Sequence, residues 1–296
     1  MNKYLIYIFI ASLIWGTSFP AITIGLKYTN PIVLLFLRFI IATSISFALF
    51  PKTISHLKDI DMVIVGLFNG FSYLFQFIGQ QYVPAGQSSI LVNFYSVLVP
   101  IISLFILHEV PSKKIIFAVI LGFLGVILLA EYNKSISASF HNYIFGIIII
   151  FFSGVSWAFY VVFSKKSQTQ RGKNDEYISK YSYQDLFTAS MFYTSLIAFF
   201  SLFFVTNPFS NIRLESLIVS SYLGIFATVI TFLLYLIGLE KISATNVSVI
   251  LLSEVLVAYI ISILYLGEII TIIQFMGSIF IIISLFLVIK NNQSVE

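Results

Sequence analysis

Few residues in this sequence can do chemistry, and one of them lies in an unusual place. The run "ILLSEVLVAYI" (250–260) carries a single carboxylate, Glu254, inside a long apolar segment. At a rise of about 1.5 Å per helical residue, Glu254 lies roughly 15 Å from the start of that segment. A charge at such a depth in a bilayer costs at least about 2.5 kcal/mol and is expected to face a cavity or a partner. We therefore expect Glu254 to exchange protons or to contact a cationic ligand; the alternative is a structural carboxylate that holds helices together.

Arg38 is a second charged residue inside an apolar segment, about 10 Å from the segment's start. Its guanidinium offers a planar fork of donors that suits the carboxylate of a ligand. It can also extend towards the outer membrane interface, or form a salt bridge with Glu254. Such a bridge would keep Glu254 ionised and prevent it from exchanging protons.

Aromatic and amide side chains extend this set of candidate site residues. Trp15 and Trp157 lie mid-segment, away from the membrane interfaces where Trp usually collects, and are predicted to form the walls of a cavity. The alternative is ordinary packing, since 17% of the residues are aromatic. The remaining candidates for binding or coupling are Tyr95, Asn93, Gln76 and Asn246.

The composition indicates where these residues lie. The 296-residue chain is 59% hydrophobic and 9% charged, with a mean hydropathy of +1.02, whereas soluble domains carry roughly a quarter charged residues. It is therefore predicted to be an integral membrane protein. Its net charge of +4 fits lysines beside membrane spans and does not require nucleic acid. Without cysteine it has no disulfides, Cys-ligated zinc or thiol catalysis, and we expect no cofactor and no metal.

The apolar runs match the length of membrane-spanning helices. A helix needs about 20 apolar residues to cross the hydrocarbon core, and the absence of period-2 alternation argues against a β-barrel. The fold is therefore predicted to be all-α, with ten transmembrane helices. The predicted spans are 4–26, 32–50, 62–82, 86–107, 114–130, 143–164, 185–206, 216–238, 244–266 and 271–289.

The basic residues predict the orientation of these spans. Twelve Lys and Arg residues fall in segments on the side of the N terminus, three fall on the other side, and the sixteenth is Arg38. Because basic residues favour the cytoplasm, both termini are predicted to be cytoplasmic, in a multi-pass protein of the cell membrane. The first apolar run is too long for a signal peptide and lacks a cleavage site.

The chain also divides into two similar halves. A shift of 159 residues places 78–109 over 237–268. Each half has five spans, an odd number, so the halves are inserted in opposite orientations, as in many secondary transporters with a site between their repeats. The predicted parts are a first repeat (1–132), an outer connector (133–142), a second repeat (143–290) with a cytoplasmic loop (165–185), and a tail (291–296).

Two further carboxylates, Glu109 and Glu268, occupy matching positions in the halves. Inversion places Glu109 at the cytoplasmic face and Glu268 at the outer face, where they can act as gates. The alternative is electrostatic: each precedes a helix whose N-terminal dipole favours a negative charge.

Five segments resemble, in order, EamA-type members of the drug/metabolite transporter superfamily. They are "LIWGTSFPAITIGL" (13–26), "FLRFIIA" (36–42), "YVPAGQSSIL" (82–91), "SWAFYVVFSKK" (156–166) and "LLSEVLVAYIISILYLGE" (251–268). The resemblance implies two inverted five-helix repeats around a central cavity and carriage of small metabolites, often amino acids and often outward. Three features differ: Val255 stands where relatives often have Pro, His108 stands where they often have Gly, and the 165–185 loop is longer.

These observations lead to one functional hypothesis and several alternatives. We expect a secondary-active carrier of small organic metabolites, mainly amino acids or related compounds, that exports by alternating access with protons as a possible coupling ion. An uptake carrier, a lipid flippase or a passive channel would fit the same bundle. A membrane-embedded enzyme is disfavoured, since no nucleotide-binding loop, H-E-x-x-H motif or pair of intramembrane Asp residues is present. The oligomeric state is left open.

Overall fold

A computed structural model describes residues 3–129, 140–171, 177–178, 180–210, 212–266 and 271–293. These residues form a helical bundle with one very short antiparallel β-pair. Eight of its helical segments are long and apolar enough to cross a membrane. The chain is a multi-pass membrane protein.

The first half contains six helices. Asn30 caps the second of them by accepting a hydrogen bond from the Ile32 amide (2.9 Å), the usual role of Asn at this position. In chain order the helices are α1 (Lys3–Gly25), α2 (Pro31–Leu49), α3 (Ile60–Gly79), α4 (Ala85–Val92), α5 (Tyr95–Ile106) and α6 (Lys113–Leu129).

The second half contains seven helices and the β-pair. Between its third and fourth helices the backbone forms a π-helical segment, Ile225–Ile230. In chain order the elements are α7 (Phe140–Gln168), β1 (Gln170–Arg171), β2 (Tyr177–Ile178), α8 (Tyr183–Ser201), α9 (Leu214–Gly224), α10 (Thr231–Lys241), α11 (Ala244–Leu251), α12 (Ser253–Leu266) and α13 (Ile272–Gln293).

Each of the ten predicted spans coincides with one of these helices or with consecutive helical segments, with ends that differ by up to five residues. The largest difference is at the end of α8 (Ser201 against the predicted 206), and α7 extends four residues into the predicted 165–185 loop, to Gln168. Two residues of this loop contact the start of α3: Lys180 forms an ion pair with Asp61 in its first turn, and the Tyr181 hydroxyl donates to Asp59 (3.2 Å), the residue before the helix. The non-helical part of the predicted 165–185 loop is therefore shorter than expected. Most of the outer connector (133–142) lies outside the described residues.

Two spans are interrupted at equivalent positions. A turn at Asn93 and Phe94 separates α4 from α5, and a turn at Leu252 separates α11 from α12. The eight-residue helices before the turns, α4 and α11, correspond under the 159-residue shift. Around both turns the backbone bonds shorten to the i→i−3 pattern, as in Phe94 to Leu91 (3.3 Å) and Val255 to Leu252 (3.1 Å). The structure has this break near Glu254 although Val255 stands where relatives often have Pro.

Helices of the two halves interleave. Helix α3 packs on α7 and α8, while α10 packs on α1 and α9 packs on α2. Helix α1 also contacts α12, α7 also contacts α5, and α6 pairs with α13 at one side of the bundle. Glycine permits two of these approaches: an added Cβ at Gly16 would lie 2.6 Å from the Glu254 carbonyl, and one at Gly154 2.6 Å from the Val92 carbonyl. Both interruptions are therefore packed directly against the first helix of the other half.

Candidate functional site

A small cavity lies between the two halves. Helices α1, α3, α4, α5, α7 and α12 all contribute to its wall. The lining side chains are Trp15, Ser18, Phe19, Ser72, Tyr73, Gln76, Val92, Tyr95, Trp157 and Glu254. Five of the predicted site residues meet here, namely Glu254, Trp15, Trp157, Tyr95 and Gln76.

Among the described residues, Glu254 is the one carboxylate that lines this cavity, and its side chain is almost completely buried (5% exposed). Its Oε1 accepts a hydrogen bond from Asn93 Nδ2 (2.5 Å), which also donates to the Ser89 carbonyl (2.9 Å). Asn93 thus positions the carboxylate of Glu254 by a hydrogen bond and does not itself line the cavity. Because Asn93 lies at the first interruption and Glu254 directly follows the second, this bond joins the two interrupted spans.

Trp157 forms the centre of the aromatic wall. Its ring lies edge-on to Trp15 (centroids 5.4 Å apart) and to Tyr73 (5.9 Å), and Tyr95 lies 6.3 Å away. These edge contacts are a favoured geometry for aromatic pairs. Trp15 and Trp157 are the two tryptophans of the chain, so all of its indole side chains lie in this wall.

Arg38 is fully buried. Its Nε donates to Thr228 Oγ1 (2.7 Å) and its Nη2 donates to the Ala227 carbonyl (2.9 Å). Its guanidinium carbon lies 4.6 Å from the centroid of the ring of Tyr73, which itself lines the cavity. Arg38 does not line the cavity, and among the described residues no ion pair joins it to Glu254.

The π-helical segment contains both hydrogen-bond acceptors of Arg38, Ala227 and Thr228. A π turn changes the regular helical bonding and is frequent at functional sites. The Ala227 carbonyl, inside this segment, accepts a hydrogen bond from Arg38 and another from Trp15 Nε1 (3.0 Å). One carbonyl thus holds both a cavity-wall residue and the buried cation. No pattern in the sequence signalled this segment, and Tyr73 was overlooked because it is one of 17 tyrosines.

A second and larger cavity lies between the segment that joins α5 to α6 and the segment that joins α10 to α11. Asn246 lines this cavity and not the central one. Glu109 lines it as well, and its Oε1 accepts a hydrogen bond from the Ala244 amide at the start of α11 (3.4 Å). Burial raises the pKa of Glu109, and the nearby Lys165 opposes that shift. Glu268, the matching gate candidate, lies outside the described residues.

In the sequence, Lys165 is one of the basic residues of the predicted cytoplasmic loop (165–185). In the structure its Nζ donates to the carbonyls of Leu239 (2.8 Å) and Glu240 (3.0 Å) at the end of α10. A cation at this position suits the negative end of a helix dipole, just as the Glu109 carboxylate suits the start of α11. The turn between α10 and α11 is therefore held from both sides by opposite charges.

A membrane-embedded helical bundle with an interior cavity that contains a carboxylate is typical of membrane carriers. The model of the EamA-like transporter family matches residues 2–130 and 144–290. The chain belongs to this family and is a transporter.

Relatives and a solved structure agree over nearly the whole chain. An uncharacterized transporter of Archaeoglobus fulgidus is 28% identical over 94% of this chain and 95% of its own. The uncharacterized transporter YoaV of Bacillus subtilis is 26% identical over 97% of each. A probable amino-acid metabolite efflux pump of Salmonella typhimurium is 24% identical over 93% of this chain and 90% of its own. A crystal structure with 16% identity covers 100% of this chain with a TM-score of 0.76, which shows a common fold.

Proposed function

We propose that this protein is a secondary-active exporter of small organic metabolites, amino acids or related compounds, and that it works by alternating access. The observation that carries the proposal is Glu254, buried in an aromatic cavity between the two halves of the chain. A buried carboxylate is costly in a membrane interior and is most easily understood as part of a substrate or proton site.

The proposed architecture is ten spanning helices in two inverted repeats. It is supported by packing relations that occur twice: α3 against α7 corresponds to α10 against α1, and α5 against α7 corresponds to α12 against α1. The pairs α2–α8 and α6–α13 each join equivalent helices, as a twofold relation between the halves requires. The proposed domain limits are those given by the sequence.

The proposed direction and location depend on different observations. Export of amino-acid metabolites is supported by the relative from Salmonella typhimurium, whose name describes an efflux pump. Insertion in the cell membrane with both termini in the cytoplasm is supported by the excess of Lys and Arg on that side. This topology places the Glu109 cavity at the cytoplasmic end of the bundle.

Each site residue then has a proposed role. Glu254 binds a proton or a cationic group of the substrate, Asn93 orients its carboxylate, and Trp15, Trp157 and Tyr95 form the substrate's apolar surroundings. Gln76 supplies a neutral amide to the same cavity. At the cytoplasmic end Glu109, with Asn246 beside it, closes the bundle through its bond to α11. Glu268 is proposed as the outer counterpart from the repeat alone.

Counterflow in liposomes tests the proposal. Vesicles containing purified protein would be loaded with a mixed pool of amino acids and their amine derivatives and given labelled tracers of both kinds, for the wild type, Glu254→Gln and Glu215→Gln. Glu215 is exposed and remote from both cavities, so it serves as the matched control. Saturable exchange that survives in Glu254→Gln but no longer responds to a pH gradient assigns Glu254 to proton coupling. Loss of exchange in a folded variant assigns it to the substrate, and absence of exchange by the wild type for every tracer contradicts the proposal.

A further inference from the structure

The charged side chains around the two cavities have one sign. Glu254 lines the central cavity and Glu109 lines the cytoplasmic cavity. No Lys or Arg lines either cavity in the part of the chain that the structure describes. The two carboxylates lie at different depths along one interrupted span: α11 begins at Ala244 beside Glu109, and Glu254 follows ten residues later, roughly 15 Å further along the helices.

Two cations near these cavities, Arg38 and Lys165, donate to backbone carbonyls. Arg38 donates to Ala227 through Nη2, its Nη1 has no hydrogen-bond partner among the described residues, and its guanidinium packs on Tyr73, which lines the central cavity. Lys165 donates to Leu239 and Glu240 at the end of α10. Neither Arg38 nor Lys165 lines either cavity. A carboxylate of a substrate would meet only neutral donors in the central cavity, such as Gln76, Ser18 and Ser72.

The aromatic wall, like the carboxylates, favours a positively charged substrate. The faces of Trp and Tyr rings carry negative potential and attract ammonium groups, by up to about 2 kcal/mol when the site is desolvated. Trp15, Trp157, Tyr73 and Tyr95 all line the central cavity together with Glu254. A buried carboxylate surrounded by rings thus offers a cation both an ion pair and several ring faces, while it offers an anion only repulsion.

We propose that the transported compound is an organic cation: a primary amine with an apolar or aromatic body and no free carboxylate, such as a decarboxylated or amidated amino acid. It passes the Glu109 cavity and then binds Glu254 with its ammonium group. This inference rests on the proposed function and narrows its substrate class. It also separates zwitterionic amino acids, whose carboxylate has no cationic partner in the cavity, from their amine derivatives.

Tryptophan fluorescence measures binding at the central cavity directly, because both tryptophans of the chain lie in its wall. Purified protein would be titrated with three compounds that share one aromatic body: 2-phenylethylamine, phenylalanine and 3-phenylpropionate. We expect the amine to bind at least about tenfold more tightly than the other two, which corresponds to one charge-assisted hydrogen bond. Glu254→Gln should abolish this preference, and Glu215→Gln should leave it unchanged.

The outcomes distinguish this inference from the proposed function. Equal or tighter binding of phenylalanine, or a preference for the amine that survives in Glu254→Gln, overturns the inference. Absence of binding by all three compounds also overturns the inference. Counterflow with the mixed pool then still decides whether the protein transports small organic metabolites. Counterflow of labelled 2-phenylethylamine without counterflow of phenylalanine supports both proposals.

Discussion

The two interrupted spans have the same backbone plan and opposite chemical character. Helices α4 and α11 each have eight residues, each is followed by a turn, and each turn contacts a glycine of the other half's first helix. At the equivalent position after the turn, the first half carries the neutral phenol of Tyr95 and the second half carries Glu254. The two interrupted spans therefore share a backbone plan, while single side chains give the cavity its polarity.

The largest expected effect on transport comes from substitution at one of these two positions, Glu254, and not at the other, Tyr95. Glu254→Gln removes the charge and should lower transport at least about tenfold, the effect of losing one hydrogen bond to a charged group. Tyr95→Phe removes a hydroxyl that has no hydrogen-bond partner in the structure, so transport should change little. Initial rates of counterflow, normalised to the folded protein in the vesicles, check both variants. Equal losses in the two variants would contradict the assigned asymmetry.

The glycines that contact the turns should be equally sensitive in both halves. Gly16→Ala and Gly154→Ala each place a methyl group 2.6 Å from a backbone carbonyl, of Glu254 and Val92 respectively. Because a backbone cannot move aside easily, each variant should lose about 1–3 kcal/mol of stability. Thermal unfolding in detergent measures this loss. A large effect at Gly16 alone would mean that the frameworks of the two halves differ.

Arg38 distinguishes the halves in another way, because it holds the π-helical segment that the second half has and α3 lacks. Arg38→Met leaves the Ala227 carbonyl with Trp15 as its remaining donor and removes the donor to Thr228. We expect a loss of about 1–2 kcal/mol, partly offset because the charge is no longer buried.

The emission maximum of tryptophan should also shift, since Trp15 shares that carbonyl. Thermal unfolding and fluorescence spectra check these expectations, and Lys52→Met, on the exposed segment after α2, is the control. If Arg38→Met instead abolished amine binding without a change in stability or emission, Arg38 would be a substrate contact.

The smallest effect is expected at Glu109, where the end of the first interrupted span contacts the start of the second. Burial raises the pKa of this carboxyl above its ordinary value of 4.5, so the folded protein binds the proton more tightly than the unfolded chain does. Wild-type stability should therefore decline relative to Glu109→Gln as the pH rises from 4.5 through the raised pKa, and the two should converge at lower pH. Melting temperatures at several pH values measure this difference, and Glu215→Gln should show no such trend. Wild type gaining stability relative to Glu109→Gln with rising pH would contradict it.

Much of the fold and part of the site could be predicted before the structure. The spans follow from hydropathy because a helix in a bilayer must be apolar along its full length. Glu254, Trp15, Trp157, Tyr95 and Gln76 were found because polar or indole groups stand out in an apolar run. Asn246 stood out for the same reason but lines the other cavity, since depth along a helix does not indicate which face it presents.

The sequence alone determined that this chain is a helical membrane protein with two similar halves and with a carboxylate in its interior, where burial of a charge is unfavourable. Those properties depend on composition and on the distance along one helix, which the chain itself specifies. The partners of each charge were decided by the tertiary structure. Arg38 donates to a carbonyl in the π-helical segment, Lys165 caps α10, and Asn93 rather than a cation contacts Glu254. Such pairings depend on how helices far apart in the chain are rotated against one another, and that rotation is fixed only when they pack.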